Sequence, residues 1–337
     1  MGHKSFISIL LLIILLAGCG KQDVSVPDNP KQENGENVNT GDENEDSTED
    51  EDDGDENGNE DKDEESVFTG LTVSHITDHS AVFTVNVIDG YRYITEKGVI
   101  WSDDESLPES NRSSDKRDPE FFSYKGCIIN LEKDKDYYVR PYMIMNGDSV
   151  FGETVKFRTL FSKEDVKMTG KVTWKFGTPP TGTTKEDIDG AYECITEAMD
   201  SAVYLYNLYT NAEKELTILY RPTVPTSDGS TNGTIRFGKG RTYMWVGTAM
   251  HEIAHTVGVG TSGKWKGMFD NSGFLTKNVR YEYTMLRTLE DNNQYPMLKA
   301  GGVHFWPYGI NYRSEVNDER DLVKHALLVN AMKTDGM

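Results

Sequence analysis

The chain has 337 residues, a formal net charge of −21 and three cysteines. Its length fits two modest domains, and so few cysteines exclude a disulfide-built scaffold. The charge is uneven: residues 21–65 carry −17 and residues 66–337 only −5, so no part of the chain offers the basic footprint of a nucleic-acid binder.

The N-terminus reads as an export signal. Lys4 precedes an apolar run from Phe6 to Leu16, too short for a membrane-crossing helix but suited to the core of a signal peptide. Leu16-Ala17-Gly18-Cys19 then resembles the lipobox of bacterial lipoproteins. That resemblance implies removal of residues 1–18, acylation of Cys19 and attachment to a membrane through its lipid chains. Gly20, in place of Asp, points to an outer-membrane lipoprotein, with a surface-exposed or periplasm-facing body.

Residues 19–65 form the acylated cysteine and an acidic tether. Few large apolar side chains stand there to offset the entropy of ordering, and like charges keep such a segment extended. Asp53, Asp55, Asn57, Gly58, Asp61 and Glu64 match the spacing of an EF-hand calcium loop. Glu60 replaces the usual aliphatic residue and no apolar-periodic helix flanks the match, so it reads as a by-product of acidic composition.

From residue 66 to 160 the pattern is all-β, with β-branched and aromatic residues at two-residue spacing. Strands are expected over 67–75, 80–88, 93–101, 121–130, 136–146 and 149–158, forming an antiparallel sandwich. Glu96-Lys97-Gly98-Val99-Ile100-Trp101-Ser102, Leu131 with Tyr137-Tyr138-Val139-Arg140-Pro141-Tyr142, Phe151-Gly152 and Val155-Lys156-Phe157 resemble the fibronectin type III repeats of bacterial surface proteins. Tyr137 would then be the tyrosine-corner residue. His75 and His79 are expected at the surface, and Cys127 as a buried thiol of the sandwich.

Residues 161–337 change rhythm. A strand is expected over 171–176, a long amphipathic helix capped by Thr184 and running to about Tyr209, with Cys194 packed inside it, then strands over 215–220 and 233–237. A second helix, from about Tyr243 to Val257, carries His251-Glu252-Ile253-Ala254-His255. Residues four apart on a helix lie about 40° apart on one face. In a chain with seven histidines this pattern arises by chance about 0.01 times. Two imidazoles so placed can bind zinc, and Glu252 beside them suits a general base. With no cysteine nearby, a closed structural zinc site is disfavoured.

His251-Glu252-x-x-His255-x-x-Gly258 resembles the metzincin branch of the zincin metallopeptidases. The resemblance implies an α+β catalytic domain over 161–337, one catalytic Zn2+, a substrate-aligning edge strand at Gly233–Phe237, and a sharp turn at Gly258. A metzincin's third histidine would fall at Thr261, which is a poor zinc ligand. A third ligand is therefore expected further on. His304, in the glycine- and aromatic-rich Gly301–Gly309 stretch, is the leading candidate, and Glu282, Glu315, Glu319 and Asp270 are the carboxylate alternatives. His325 is expected to pack in a helix over 317–332. Tyr308 or Tyr312 could donate to an oxyanion, and Met285 or Met297 could form a methionine turn beneath the metal.

These readings predict a lipid-anchored zinc endopeptidase that hydrolyses extracellular proteins or glycoproteins. Two rivals stand beside it: a non-catalytic adhesin or glycan-binding lipoprotein with a degenerate zincin domain, and a zinc hydrolase acting on a non-protein amide.

Overall fold

The computed structural model describes residues 67–88, 94–108, 112–115, 123–287, 297–310 and 312–337. The signal sequence, Cys19, the acidic tether and the calcium-loop match at 53–64 lie outside the described residues. No helix among the described residues is long and apolar enough to cross a membrane.

The first part is a two-sheet antiparallel sandwich. One sheet holds β1 (Phe68–Ser74), β2 (Ala81–Val87) and β5 (Tyr124–Ile128) in that order. The other runs β4 (Arg112–Asp115), β3 (Ile94–Ser102), β6 (Asp136–Met145), β7 (Asp148–Phe151), with β8 (Val155–Arg158) also on β6. The sheets enclose Phe83, Val85, Val99, Tyr124, Val139, Met143 and Phe157. The strand expected over 149–158 is two strands. Gly152 separates them where its N–H donates to the Pro141 carbonyl at 3.0 Å. A Cβ on Gly152 would stand 2.7 Å from the proline ring, so the chain bends there against β6. The Tyr137 hydroxyl accepts from the Glu132 N–H at 3.0 Å, the local bond a tyrosine corner makes.

The second part is built on a four-stranded mixed sheet in the order β11 (Ser227–Gly229), β12 (Thr234–Phe237), β10 (Glu213–Tyr220), β9 (Lys171–Phe176). The last three are parallel and β11 is antiparallel to β12. Helix α1 (Lys185–Tyr209) links β9 to β10, with Thr184 Oγ1 accepting from the Asp187 N–H. Its buried face is Ala191, Ile195, Ala198, Met199, Ala202, Leu205 and Tyr206. Helix α2 (Val246–Val257) follows, then β13 (Phe269–Asp270), β14 (Gly273–Phe274), α3 (Lys277–Arg287), β15 (Lys299–Gly301), β16 (His304–Trp306) and α4 (Glu319–Thr334).

The two parts meet across a common core, and residues 66–337 are one compact unit. Val82 and Cys127 belong to the core of the helices, so Cys127 faces this junction and not the sandwich interior. Lys125 Nζ donates to both oxygens of Glu282 at 2.7 and 2.8 Å. His79 sits between Asp78 and Glu319, at 2.7 and 3.1 Å, and His75 packs on the Tyr209 ring at 5.2 Å. The two histidines expected at the surface are therefore junction residues.

Candidate metal centre

Helix α2 is buried on almost every side. Gly247 to Met250 and Glu252 to Thr256 are all inaccessible, and His251 is half-buried. This is more enclosure than one apolar stripe requires, and close backbone approaches produce it. A Cβ on Gly229 would stand 2.3 Å from the Glu252 carbonyl oxygen, and one on Gly247 would stand 2.2 Å from the Trp245 ring.

The turn after α2 brings the third histidine in. Gly258 ends the helix at φ +129°, a conformation that favours glycine. Gly260, at φ +72°, touches the Val303 carbonyl where any Cβ would stand 2.3 Å away. Val303 lies in the tight turn between β15 and β16, where Gly301 pairs with His304 and Gly302 has φ +59°. Trp265 Nε1–H donates to the Gly302 carbonyl at 2.9 Å and fixes that hairpin. His304 is thus the first residue of β16, beside α2.

His251, His255 and His304 offer one ring nitrogen each, all within 4.8 Å of one another. The rings of His251 and His304 are 5.1 Å apart, and those of His255 and His304 are 5.5 Å apart. His251 Nδ1 lies 2.7 Å from the Gly309 carbonyl, and His255 Nδ1 lies 2.8 Å from the Val259 carbonyl. A carbonyl only accepts, so both Nδ1 atoms carry the proton and both Nε2 atoms carry a lone pair. Those Nε2 atoms face each other at 3.1 Å. Two acceptors at that distance repel unless a cation or a proton lies between them.

A proton is disfavoured. Burial, and then the neighbouring His255, push His251 down to about 3, against the opposing pull of the Gly309 carbonyl. Burial likewise lowers His255, with His304 adding to the effect, and burial lowers His304. Neutral imidazoles oriented through their second nitrogens are the form that binds a divalent metal. Tetrahedral zinc would hold such nitrogens about 3.3 Å apart, close to the observed pair.

Glu252 is buried beside this cluster, and burial raises its carboxyl to about 7 despite the hydrogen bond from Ser227. Ser227 Oγ donates to Oε1 at 2.7 Å. Oε2 is buried with no hydrogen-bond partner among the described residues. One oxygen is therefore fixed and the other is buried without a partner among the described residues. These donors fit a zinc ion with an acid–base carboxylate alongside.

Several expectations need correction. The edge strand is β11, not the 233–237 segment, because β12 is paired on both sides. The Thr261 hydroxyl donates to the His255 carbonyl at 2.6 Å and caps α2. Glu282 and Glu319 are engaged at the junction with the sandwich, while Asp270 accepts from Ser272. Glu315 acts on His304 only at a distance, and one of its oxygens accepts from the Tyr312 N–H. Tyr308 is buried, and its hydroxyl accepts from Lys324 Nζ at 3.0 Å. Tyr312 is 64% exposed. Met285 is buried in α3, and Met297 is partly exposed with its sulfur near Gly273. Sequence reasoning missed Ser227 and the Gly309 and Val259 carbonyls.

No protein-family model matches the chain, and no curated protein matches it. Similar solved structures include the sixth fibronectin type III domain of human fibronectin type III domain containing protein 3, at 21% identity and TM-score 0.21, covering 27% of this chain and 82% of that one. Another is a fibronectin type III domain derived from human KIAA0970 protein, at 16% identity and TM-score 0.24, covering 35% and 87%. The sensor domain of the anti-sigma factor RsgI4 in Pseudobacteroides cellulosolvens matches at 16% identity and TM-score 0.21, covering 28% and 96%. Strand order and pairing within this chain carry the assignment of an antiparallel sandwich.

Proposed function

We propose that this chain is a zinc-dependent endopeptidase of zincin type, anchored by acylated Cys19 to a bacterial outer membrane and acting on extracellular proteins or glycoproteins. One observation carries the reading: two carbonyl-oriented imidazoles turn their Nε2 lone pairs toward each other at 3.1 Å, beside a buried carboxylate with one unpaired oxygen. His251, His255 and His304 would hold the zinc ion. Bound there, zinc would supply Lewis acidity toward a water and a scissile carbonyl oxygen.

The chain's own residues supply the rest. Glu252 Oε2 takes a proton from the attacking water and returns it to the departing amine. Ser227 keeps Oε1 occupied, so the proton traffic is confined to one oxygen. Strand β11, which carries Ser227, is at the edge of its sheet, and its unpaired side suits main-chain pairing with an extended substrate. The Gly309 and Val259 carbonyls hold the imidazoles in the tautomer that presents Nε2.

The test incubates the purified full chain with casein and with a mucin-type glycoprotein, with and without a chelator, beside Glu252→Gln. Cleavage is expected only in the metal-loaded native chain, with Glu252→Gln reduced about 10²–10⁴-fold at unchanged zinc content. Zinc bound without cleavage of any protein would favour the binding-module reading.

A further inference from the structure

His325 has no part in the reaction described above, yet it is fully buried in α4 directly behind the histidine cluster. Its Nδ1 donates to the Tyr308 carbonyl at 2.7 Å. Its Nε2 is 3.1 Å from the Tyr206 hydroxyl oxygen, and the single proton of that hydroxyl has two acceptors within reach, this Nε2 and the Met250 carbonyl at 3.0 Å. The Phe305 ring stacks on the imidazole, with centroids 5.7 Å apart and planes at 26°.

Tyr308, Met250 and Phe305 are each adjacent in sequence to a group that shapes the centre. Tyr308 precedes Gly309, whose carbonyl orients His251. Met250 precedes His251 itself, and Phe305 follows His304. One side chain thus touches the backbone or ring next to two ligands and one orienting carbonyl. The segment it holds is under backbone constraint, because Tyr308 and Ile310 both adopt positive φ, at +65° and +56°. Non-glycine residues leave that conformation unless neighbours hold them there.

An imidazole meets these demands. Its donor and acceptor lie at opposite ends of one flat ring, matching a carbonyl on one side and a hydroxyl on the other. An aliphatic residue of similar size would take the donor from the Tyr308 carbonyl and leave the Tyr206 hydroxyl with the Met250 carbonyl alone.

We infer that His325 is a positioning residue for the metal centre: bridging Tyr308 and Tyr206, it sets the separation between α2 and the 304–310 segment and so the convergence of His251, His255 and His304. The inference rests on reading the cluster as a metal site.

The test compares His325→Leu, His325→Asn and Tyr206→Phe with the native full chain. Asparagine keeps a donor where Nδ1 lies, and Tyr206→Phe removes only the hydroxyl. Zinc affinity is measured by competition with a chromophoric chelator, cobalt(II) geometry by its visible spectrum, and folding by circular dichroism of the metal-free chain. His325→Leu should fold, weaken zinc binding by about 10–100-fold, as loss of a supporting residue does, and change the cobalt spectrum. His325→Asn should recover most of the affinity and the native spectrum. If His325→Leu does not fold, Tyr206→Phe decides, with a measurable loss of affinity and an altered spectrum expected. Native affinity and spectrum in the folded variants, while the native chain binds tightly, would overturn the inference. So would equal impairment in Leu and Asn that merely tracks lost stability. A native chain that binds neither metal would instead remove the reading on which the inference rests.

Discussion

Gly229→Ala is the substitution that the geometry around Glu252 makes most informative. The added methyl would lie 2.3 Å from the Glu252 carbonyl oxygen, 3.1 Å from its carbonyl carbon and 3.2 Å from its Cα. An ordinary carbon–oxygen approach is about 3.3 Å, so about 1 Å of separation must be gained. All three atoms are backbone of α2, a helix enclosed on nearly every side, so the helix does not yield. The three-residue edge strand β11 moves instead. Overpacking of this kind costs about 1–3 kcal/mol. Ser227, two residues along and on the same side of the strand, moves with it. Its 2.7 Å bond to Oε1 then stretches toward the limit of a hydrogen bond. Misplacing supporting groups by about 1 Å can lower turnover about 10²-fold. The assay is urea unfolding followed by tryptophan fluorescence at saturating zinc, paired with chelator-sensitive proteolysis and zinc analysis. Unfolding within about 0.5 kcal/mol of native, together with native turnover, would show that β11 does not press on the helix.

Other outcomes follow from the same contacts. Ser227→Ala should lower kcat about 10–100-fold, since a hydrogen bond to a charged group contributes about 1.5–3 kcal/mol; an unchanged kcat would remove Ser227 from the machinery. His304→Ala should weaken zinc binding at least about 100-fold, measured by chelator competition, and native affinity would exclude His304 as a ligand. His79 is raised to about 9, chiefly by its bond to Glu319. A raised histidine stabilises the fold fully below its ordinary value of 6.5, and that contribution fades as pH climbs through 9. The pair is partly solvent-screened, so the loss should be about 1 kcal/mol or less. His79→Gln should flatten that part of the stability profile, and an identical profile would refute the linkage.

The long elements were legible because their apolar periods were intact. Helix α1 with its Thr184 cap and the strands β10 and β12 arise where a repeating face meets a core, while α4 is a helix-forming run buried on almost every side. The His251–His255 spacing was readable for the same reason, since helix geometry alone places the rings on one face. Strand β11 was not, because Ser-Asp-Gly has no strand preference and becomes one only by pairing with β12. Helix α3 is rich in charged and tyrosine side chains, and it packs across α4 and β5 through Val279, Tyr283 and Leu286, too few apolar residues to stand out in a polar stretch. The Gly309 and Val259 carbonyls are main-chain atoms and leave no trace in residue identity. Glycines did point toward His304, yet the tight hairpin that delivers it depends on contacts with Gly260 and Trp265 some forty residues earlier.

The seam between the sandwich and the helices has a practical meaning for anyone handling this molecule. Val82 and Cys127 are shared with the helical interior, and Lys125 and His79 clasp Glu282 and Glu319 across the boundary. Cutting the chain near residue 160 would strip α3 and α4 of their cover and leave two acidic groups without their cations. The β-part is therefore no detachable spacer, and a trimmed C-terminal fragment would be a sticky, weakened product rather than a self-sufficient domain.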